Sequence, residues 1–255
     1  MKLTHKLCGA ALLAVIGVAV AAPSATQALN KTRDGKADIE FTQNTEPDTS
    51  MTDPTGTRTH DTGTDIVPEH VAEFGVIAVT PLNFDKKAAK IGEQKYEALP
   101  HVANRGNEDE YEVENYVAIK DVRSTTNHTY KLSAALTKQF TATVEETEVT
   151  LKAATLTYKN INVAATLNPD LQPAEDKKVF GADATNISEL KEDGSSVPVY
   201  TNNDPNGGKG RYEVTFGDDA KGTAGDSVSL FIPASVDVRN AAYNATVTWT
   251  LSDTL

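Results

Sequence analysis

The amino-acid sequence predicts an all-β fold: a single-domain antiparallel β-sandwich (Ig-like) with long polar loops. Three observations predict it. The chain contains many short runs in which apolar and polar residues alternate, the pattern of half-buried antiparallel strands. Threonine and valine are frequent in these runs, and clusters of Gly, Asn and Asp separate them. Helical periodicity is weak, since only residues 85–99 leave room for a turn or two of helix.

The last run has the most regular alternation. Apolar side chains occupy every second position between residues 243 and 251, and Asn or Thr occupies the positions between them. A half-buried strand near the end of the chain is therefore predicted. A short strand is also predicted at residues 38–42. Further strands are predicted at residues 76–79, 81–84, 116–122, 130–136, 144–151, 154–167, 197–200, 211–216 and 227–232.

The first residues predict a secretory signal peptide. Lys2 and Lys6 form a basic start, an apolar run covers residues 7–22, and small residues follow it. This order is typical of a cleaved leader, and the apolar run is shorter than the roughly 20 residues that a spanning helix needs. We place the signal peptide at residues 1–28 and the mature domain at residues 29–255. No membrane insertion is expected after cleavage.

Residues 44–70 are predicted to form a disordered loop within the mature domain. The segment is rich in Thr, Asp, Pro and Gly and has no continuous apolar face. Such a composition cannot bury enough apolar surface to offset the entropy cost of ordering the chain.

The charge and the cysteine content exclude several classes of protein. The formal net charge is −12, and it becomes −14 when Lys2 and Lys6 leave with the signal peptide. A field of this sign repels nucleic acid, so nucleic-acid binding is not expected. The single cysteine, Cys8, lies within the predicted leader. Disulfides, thiolate metal sites and cysteine nucleophiles are therefore not expected in the mature chain.

No constellation of catalytic residues emerges from the sequence. The five histidines have no ligand or catalytic partner at a regular spacing, and His101 and His128 are predicted to be solvated in polar connectors. A Gly-x-Ser-x-Gly elbow is also absent from the sequence. We therefore predict a non-enzymatic protein with no cofactor and no metal. A secreted glycan-active enzyme, using two of the many loop carboxylates, is the least favoured alternative.

Trp249 is the only tryptophan in the chain and has two interpretations. On the apolar face of the last strand, it is suited to close the core of the sandwich. The alternative interpretation is that Trp249, as an aromatic anchor near a strand edge, forms part of a recognition surface.

The segment around Trp249 carries a family resemblance. Residues 243–253, with Trp249-Thr250-Leu251 at their centre, closely resemble the C-terminal signature of the WxL-domain cell-surface proteins of low-GC Gram-positive bacteria. That family has a second, upstream Trp-x-Leu after an Asp-x-Arg element. Here Asp121-Val122-Arg123 is followed by Tyr130-Lys131-Leu132. The resemblance implies that the binding residues are Trp249, Leu251, Tyr130 and Leu132.

The resemblance also implies a location and partners. It implies a secreted protein at the cell surface, associated non-covalently with cell wall peptidoglycan through its WxL domain. Companion surface proteins encoded at the same locus, including membrane-anchored ones, are the other implied partners. An alternative function remains open: the chain is a structural subunit of a multi-protein surface complex, and its last strand adds to the sheet of a partner.

Overall fold

A computed structural model of the chain describes residues 39–40, 50–52, 59–61, 66, 71, 73–164 and 169–255. The chain divides into two compact units, residues 1–43 and 44–255. All the described strands belong to the second unit. The predicted signal peptide and most of the strand predicted at residues 38–42 lie outside the described residues.

The second unit is built almost entirely of strands, which confirms the all-β prediction. Its described residues also contain short 3-10 helices at Pro169–Leu171, Glu175–Lys177, Ala182–Ala184, Asp219–Lys221 and Ala224–Asp226. In chain order the strands are β1 (Ser50–Thr52), β2 (Thr59–Asp61), β3 (Phe74–Val79), β4 (Gln94–Glu97), β5 (His101–Ala103), β6 (Tyr111–Val113), β7 (Asn115–Asp121), β8 (Tyr130–Val144), β9 (Thr147–Thr150), β10 (Thr155–Lys159), β11 (Ile161–Ala164), β12 (Lys178–Phe180), β13 (Ile187–Leu190), β14 (Val197–Asn202), β15 (Gly210–Phe216), β16 (Val228–Ile232) and β17 (Asn244–Ser252).

Antiparallel pairing joins most of these strands into three sheets. Sheet 1 has the order β11-β15-β7-β3, and sheet 2 has the order β13-β10-β16-β4. Sheet 3 has the order β12-β14-β8-β17, with β9 paired to the distal end of β8. Two separate strand pairs, β1-β2 and β5-β6, complete the described pairing. The C-terminal strand β17 is therefore an edge strand of sheet 3.

A sharp bend at Asn160 joins sheets 1 and 2. The sequence pattern predicts one continuous strand over residues 154–167, whereas the structure has β10 and β11 on either side of Asn160. This residue adopts a positive φ of 51°, a conformation that Asn tolerates better than most residues. Its side-chain amide donates to Ser227 Oγ at 2.9 Å, which fixes the bend. The chain thereby passes directly from sheet 2 to sheet 1.

The main core contains side chains from all three sheets. The rings of Tyr158 and Phe216 lie 4.6 Å apart at its centre, between sheets 2 and 1. Burial of a large apolar side chain contributes about 1.5–3 kcal/mol, so this cluster supplies much of the stability of the fold. Its fully buried large side chains include Tyr130, Leu132, Leu136, Leu156, Tyr158, Tyr200, Tyr212 and Phe216.

Several segments differ from the predicted pattern. Residues 81–84 are predicted to form a strand, but no strand lies between Val79 and Gln94. Residues 85–99 form no helix: residues 85–93 have no regular secondary structure, and Gln94–Glu97 is strand β4, in which Tyr96 pairs with Leu230 of β16. Strand β8 is also longer than the predicted 130–136: it runs to Val144 and pairs with β17 and β9 along this extension. Three polar residues at 137–139 interrupt the alternation there, and strand pairing through backbone groups gives no signal in such side chains.

The segment predicted to be a disordered loop contains described strands. Ser50–Thr52 and Thr59–Asp61 pair antiparallel, with Met51 opposite His60. Of the other residues between 44 and 70, only Ile66 is described, and its side chain is buried against Ile77 and neighbours on sheet 1.

Candidate functional site

The two motif segments lie on neighbouring strands. Strand β17 pairs antiparallel with β8 so that Leu251 lies opposite Leu132 and Trp249 lies opposite Ala134. Residues directly opposite in an antiparallel pair point to the same face of the sheet. The Trp-x-Leu motif and Leu132 of the upstream motif therefore face the core together. Tyr130 lies two residues before Leu132 on the same face and is opposite Asn202 of β14.

The four candidate binding residues differ in exposure. Tyr130 and Leu132 are completely buried, each with 0% of its surface accessible. Trp249 and Leu251 are half-buried, whereas Thr248 and Thr250, which alternate with them along β17, are exposed. A ligand in solution can thus reach Trp249, whereas Tyr130 and Leu132 are in contact only with other parts of the protein.

Trp249 belongs partly to the core. Its ring centroid lies 5.4 Å from that of Tyr158, in an edge-to-face arrangement, and 5.8 Å from that of Phe216. Both partners are among the most buried side chains of the molecule. Contacts of this kind add to the burial of the indole and restrict its position. The indole therefore packs in the core, as the first interpretation of Trp249 predicts, and it also lines a cavity.

That cavity is an apolar cleft beside the first half of β17. Its volume is about 790 Å³, and it lies between sheet 2, residues 79–89 and the segment 238–249. We call it the Trp249 cleft. Pockets of this size that are lined by apolar and aromatic side chains are typical of binding sites. The aliphatic and aromatic side chains that line it include Leu82, Phe84, Tyr96, Phe140, Leu151, Leu156, Tyr158, Leu230, Ile232, Tyr243, Val247 and Trp249.

The outer edge of β17 is a second feature of this region. Across the described residues, β8 is the one strand that pairs with β17. The nine residues of β17 contain no charged side chain, no proline and no glycine. Natural edge strands are usually protected by charges, prolines or short length, so this edge is unusually open to the addition of another strand.

The far end of β17 is fixed by a network of charged groups. Arg123 donates to both carboxylate oxygens of Asp121, from Nε and Nη2, at 2.9 Å each. Its third nitrogen, Nη1, donates to Asp253 at 2.9 Å, one residue beyond the strand. The guanidinium also lies 4.0 Å from the centre of the Phe74 ring. Arg123 therefore connects strands β7, β3 and the end of β17.

His128 completes this network, which corrects the prediction that His101 and His128 are solvated. His128 is buried, and its Nδ1 lies 3.0 Å from Asp121 Oδ2. His101 is also buried, with its ring packed edge to face against Tyr116. Burial raises the pKa of Asp121, but hydrogen bonds from Arg123 and His128 outweigh that effect, so the net pKa lies below its ordinary value.

Tyr130, which the resemblance implies as a binding residue, carries a buried hydroxyl. Among the described residues neither this hydroxyl nor that of Tyr200, whose ring packs edge to face on it at 6.1 Å, makes a hydrogen bond of standard geometry, but the two hydroxyls interact with each other. Burial raises the pKa of Tyr130 well above its ordinary value. A Cβ at Gly208 would lie 3.1 Å from the Tyr130 ring. Sequence analysis missed this contact. The glycines within residues 206–208 predict a turn, but they do not indicate which side chain lies beneath it.

The arrangement offers surfaces for binding. In the described part of the chain, no three His, Cys, Asp or Glu side chains come close enough together to hold a metal ion. Within the same residues, no helix has the length and apolar character needed to cross a membrane.

Comparison with known families identifies the family of the chain. The model of the family described as "WxL domain surface cell wall-binding" matches residues 28–254. The chain belongs to the WxL family. The match confirms the resemblance seen around Trp249 and covers the described sheets. No curated protein and no solved structure matches the chain. As a WxL domain, the protein is located at the cell surface, in association with the cell wall.

Proposed function

We propose that this WxL domain is a non-enzymatic module that attaches non-covalently to cell wall peptidoglycan, with the Trp249 cleft as its contact. Membership in the family supports association with the wall. The observation that carries the choice of contact is the position of Trp249, which is held by Tyr158 and Phe216 on one side and lines an open cleft on the other. Rigid aromatic anchors of this kind dominate binding energies.

The other three candidate residues have a supporting role in this proposal. Leu251 packs opposite Leu132, and this pair secures β17 on β8. Tyr130 fills the core next to β14. None of the three lines the cleft. They are therefore positioning residues that hold Trp249 where a ligand reaches it.

The lining of the cleft supports binding rather than catalysis. Hydrolysis of a glycan ordinarily uses two carboxyl groups on either side of the bond that is cleaved. The cleft contains one acidic side chain, Asp85, which is exposed and pairs with Lys87. This favours a binding module over the alternative of a glycan-active enzyme.

The test is sedimentation of the mature protein with purified cell walls. We expect Trp249→Ala to reduce the bound fraction severely and Trp249→Phe to reduce it partly, because Phe keeps an apolar ring of smaller area. The matched control is Phe180→Ala, which removes a half-buried aromatic ring stacked on Tyr200, away from the cleft. Equal wall binding by folded Trp249→Ala and wild-type protein would reject the cleft as the contact.

A second candidate function is supported by the open edge of β17. A structural subunit of a surface complex could accept a strand of a membrane-anchored companion protein at this edge, through main-chain hydrogen bonds. Crosslinking on intact cells from a cysteine placed at Thr248, which is exposed on β17, separates the two candidates. A single protein adduct of defined mass supports the companion, and a ladder of glycan adducts supports direct attachment to the wall.

A further inference from the structure

The mouth of the Trp249 cleft has a charge opposite to that of the chain. Lys86, Lys87 and Arg239 line the cleft together with one acidic residue, Asp85. The formal charge of this lining is thus positive, whereas the whole chain carries −12. A negatively charged ligand is repelled at long range by the chain and attracted at short range by this rim.

The cations of the rim are available to a ligand. Lys87 contacts Asp85 at 3.5 Å, and Arg239 contacts Asp237 at 2.5 Å, with all four side chains largely exposed. Exposed ion pairs contribute little, about 0–1 kcal/mol. A ligand carboxylate can therefore replace these intramolecular partners with little loss of stability. Lys86 is likewise exposed at the mouth.

The interior of the cleft restricts the ligand further. Behind the rim, the walls are formed by aliphatic and aromatic side chains such as Val247, Leu230 and Trp249. A sugar ring would have to pair several hydroxyl groups with the four uncharged polar side chains of the lining, Thr80, Asn83, Asn240 and Asn244, and each hydroxyl left unpaired is costly. A short peptide of small apolar residues that bears a free carboxylate matches both the walls and the rim of the cleft. Its methyl groups would contact the apolar walls, and its carboxylate would contact the cations of the rim.

Peptidoglycan contains such a part, in the short peptides that link its glycan chains. We propose that the Trp249 cleft binds the carboxylate-bearing peptides of peptidoglycan, and that Lys86, Lys87 and Arg239 select their negative charge. This inference rests on the proposed function, in which the cleft is the contact with the wall. Within a Debye length of about 8 Å at physiological salt, the rim acts on the ligand more strongly than distant acidic residues do.

The first test compares two triple variants on purified peptidoglycan. The rim variant is Lys86→Gln with Lys87→Gln and Arg239→Gln. The control variant is Lys177→Gln with Lys191→Gln and Lys209→Gln, three exposed lysines outside the cleft lining that change the net charge equally. We expect about tenfold weaker binding for the rim variant, from the loss of three charge contacts, and unchanged or slightly weaker binding for the control.

The direction in which salt changes the binding to peptidoglycan is a second readout of the same test. If the rim attracts the ligand, wild-type binding weakens as salt is raised and the rim variant loses this dependence. Stronger wild-type binding at high salt would mean that overall repulsion dominates, and it would overturn the inference.

A second arm identifies the source of the negative charge. Peptidoglycan whose carboxylates have been converted to neutral amides should bind wild-type protein about as weakly as native peptidoglycan binds the rim variant. Removal of accessory phosphate-containing wall polymers should leave the binding of wild-type protein unchanged. Full binding to the amidated polymer, or loss of binding with the phosphate polymers, overturns the inference.

These outcomes separate the inference from the proposed function. If wild-type protein does not bind walls at all, the proposed function fails. If wild-type protein binds and depends on Trp249, but the rim and control variants bind equally, only the choice of a carboxylate ligand fails.

Discussion

The two halves of the C-terminal strand have the same alternating pattern and different surroundings. In the second half, Leu251 lies opposite the buried Leu132, and Asp253 is held by Arg123 next to Phe74 of β3. In the first half, Ala245 and Val247 face the Trp249 cleft. One half is closed by its neighbours and the other is open, with Trp249 between them.

This difference shows that alternation in a strand indicates which side faces inward but not what covers that side. Over the second half, β3 and the Arg123 network provide the cover. Over the first half, the chain after β3 continues as residues 80–89, which have no regular secondary structure and border the cleft instead of filling it. The leucine of the motif therefore packs against the rest of the protein, and its tryptophan packs against the core on one side and borders the cleft on the other.

The largest effect is expected at the closed half. Asp121→Ala should destabilise the protein by about 3–5 kcal/mol, because it leaves the partly buried Arg123 without its main partner. Urea denaturation measures this loss. The control, Asp253→Ala, removes the exposed partner of the same guanidinium and should cost about 0–1 kcal/mol. Similar losses for both variants would mean that Arg123 is held elsewhere.

The same carboxylate predicts an effect of pH on the closed half. Because the folded state lowers the pKa of Asp121, its contribution to stability is fully present above the unfolded pKa of about 4. It is lost as the pH falls through the lower pKa of the folded state. The free energy of unfolding of wild-type protein should therefore approach that of Asp121→Asn in acid. A difference between them that stays constant from pH 7 to pH 2 would contradict the assigned shift.

Side-chain truncations on the two halves should differ in the stability that they cost. Leu132→Ala removes a completely buried side chain and should cost about 2–5 kcal/mol. Val247→Ala removes a half-buried side chain that faces the open cleft, and about 1 kcal/mol is expected from the smaller change in buried area. Thermal unfolding of both variants measures the ratio. Equal losses would show that the cleft is closed in solution.

The smallest effect is expected from Tyr130→Phe, and it has the opposite sign. The Tyr130 hydroxyl is buried without a hydrogen bond of standard geometry among the described residues; its neighbour is the Tyr200 hydroxyl. Its removal should leave the stability unchanged or raise it by up to about 1 kcal/mol. The melting temperature relative to wild type is the measurement. A clear loss of stability would reveal a partner for this hydroxyl, such as a bound water.

Much of the fold followed from the sequence. Alternation located β17 and β15 to within a residue or two at each end, and the Trp-x-Leu segment indicated the family. Strands β12 and β13 were missed, because short edge strands such as Ile187–Leu190 carry too few apolar residues to show a period. The lengthening of β8 was missed because Thr137 and Lys138 are polar, although Lys138 pairs with Thr246 of β17 through its backbone.

The site could be predicted only in part. Trp249 and Leu251 were singled out by their spacing, but the division between a closed and an open half depends on β3 and on segment 80–89, which are distant in sequence. The buried role of His128 depends on its contact with Asp121, seven residues away in a connector that looks polar. No local pattern of residues reports such a contact.

The most direct test of the central claim uses the fluorescence of Trp249, since the chain has no other tryptophan. When the mature protein binds purified peptidoglycan, we predict a blue shift of the emission and reduced quenching by acrylamide, because the ligand covers the open side of the indole. Protein that sediments with peptidoglycan while its emission and quenching stay unchanged would contradict the Trp249 cleft as the site of attachment.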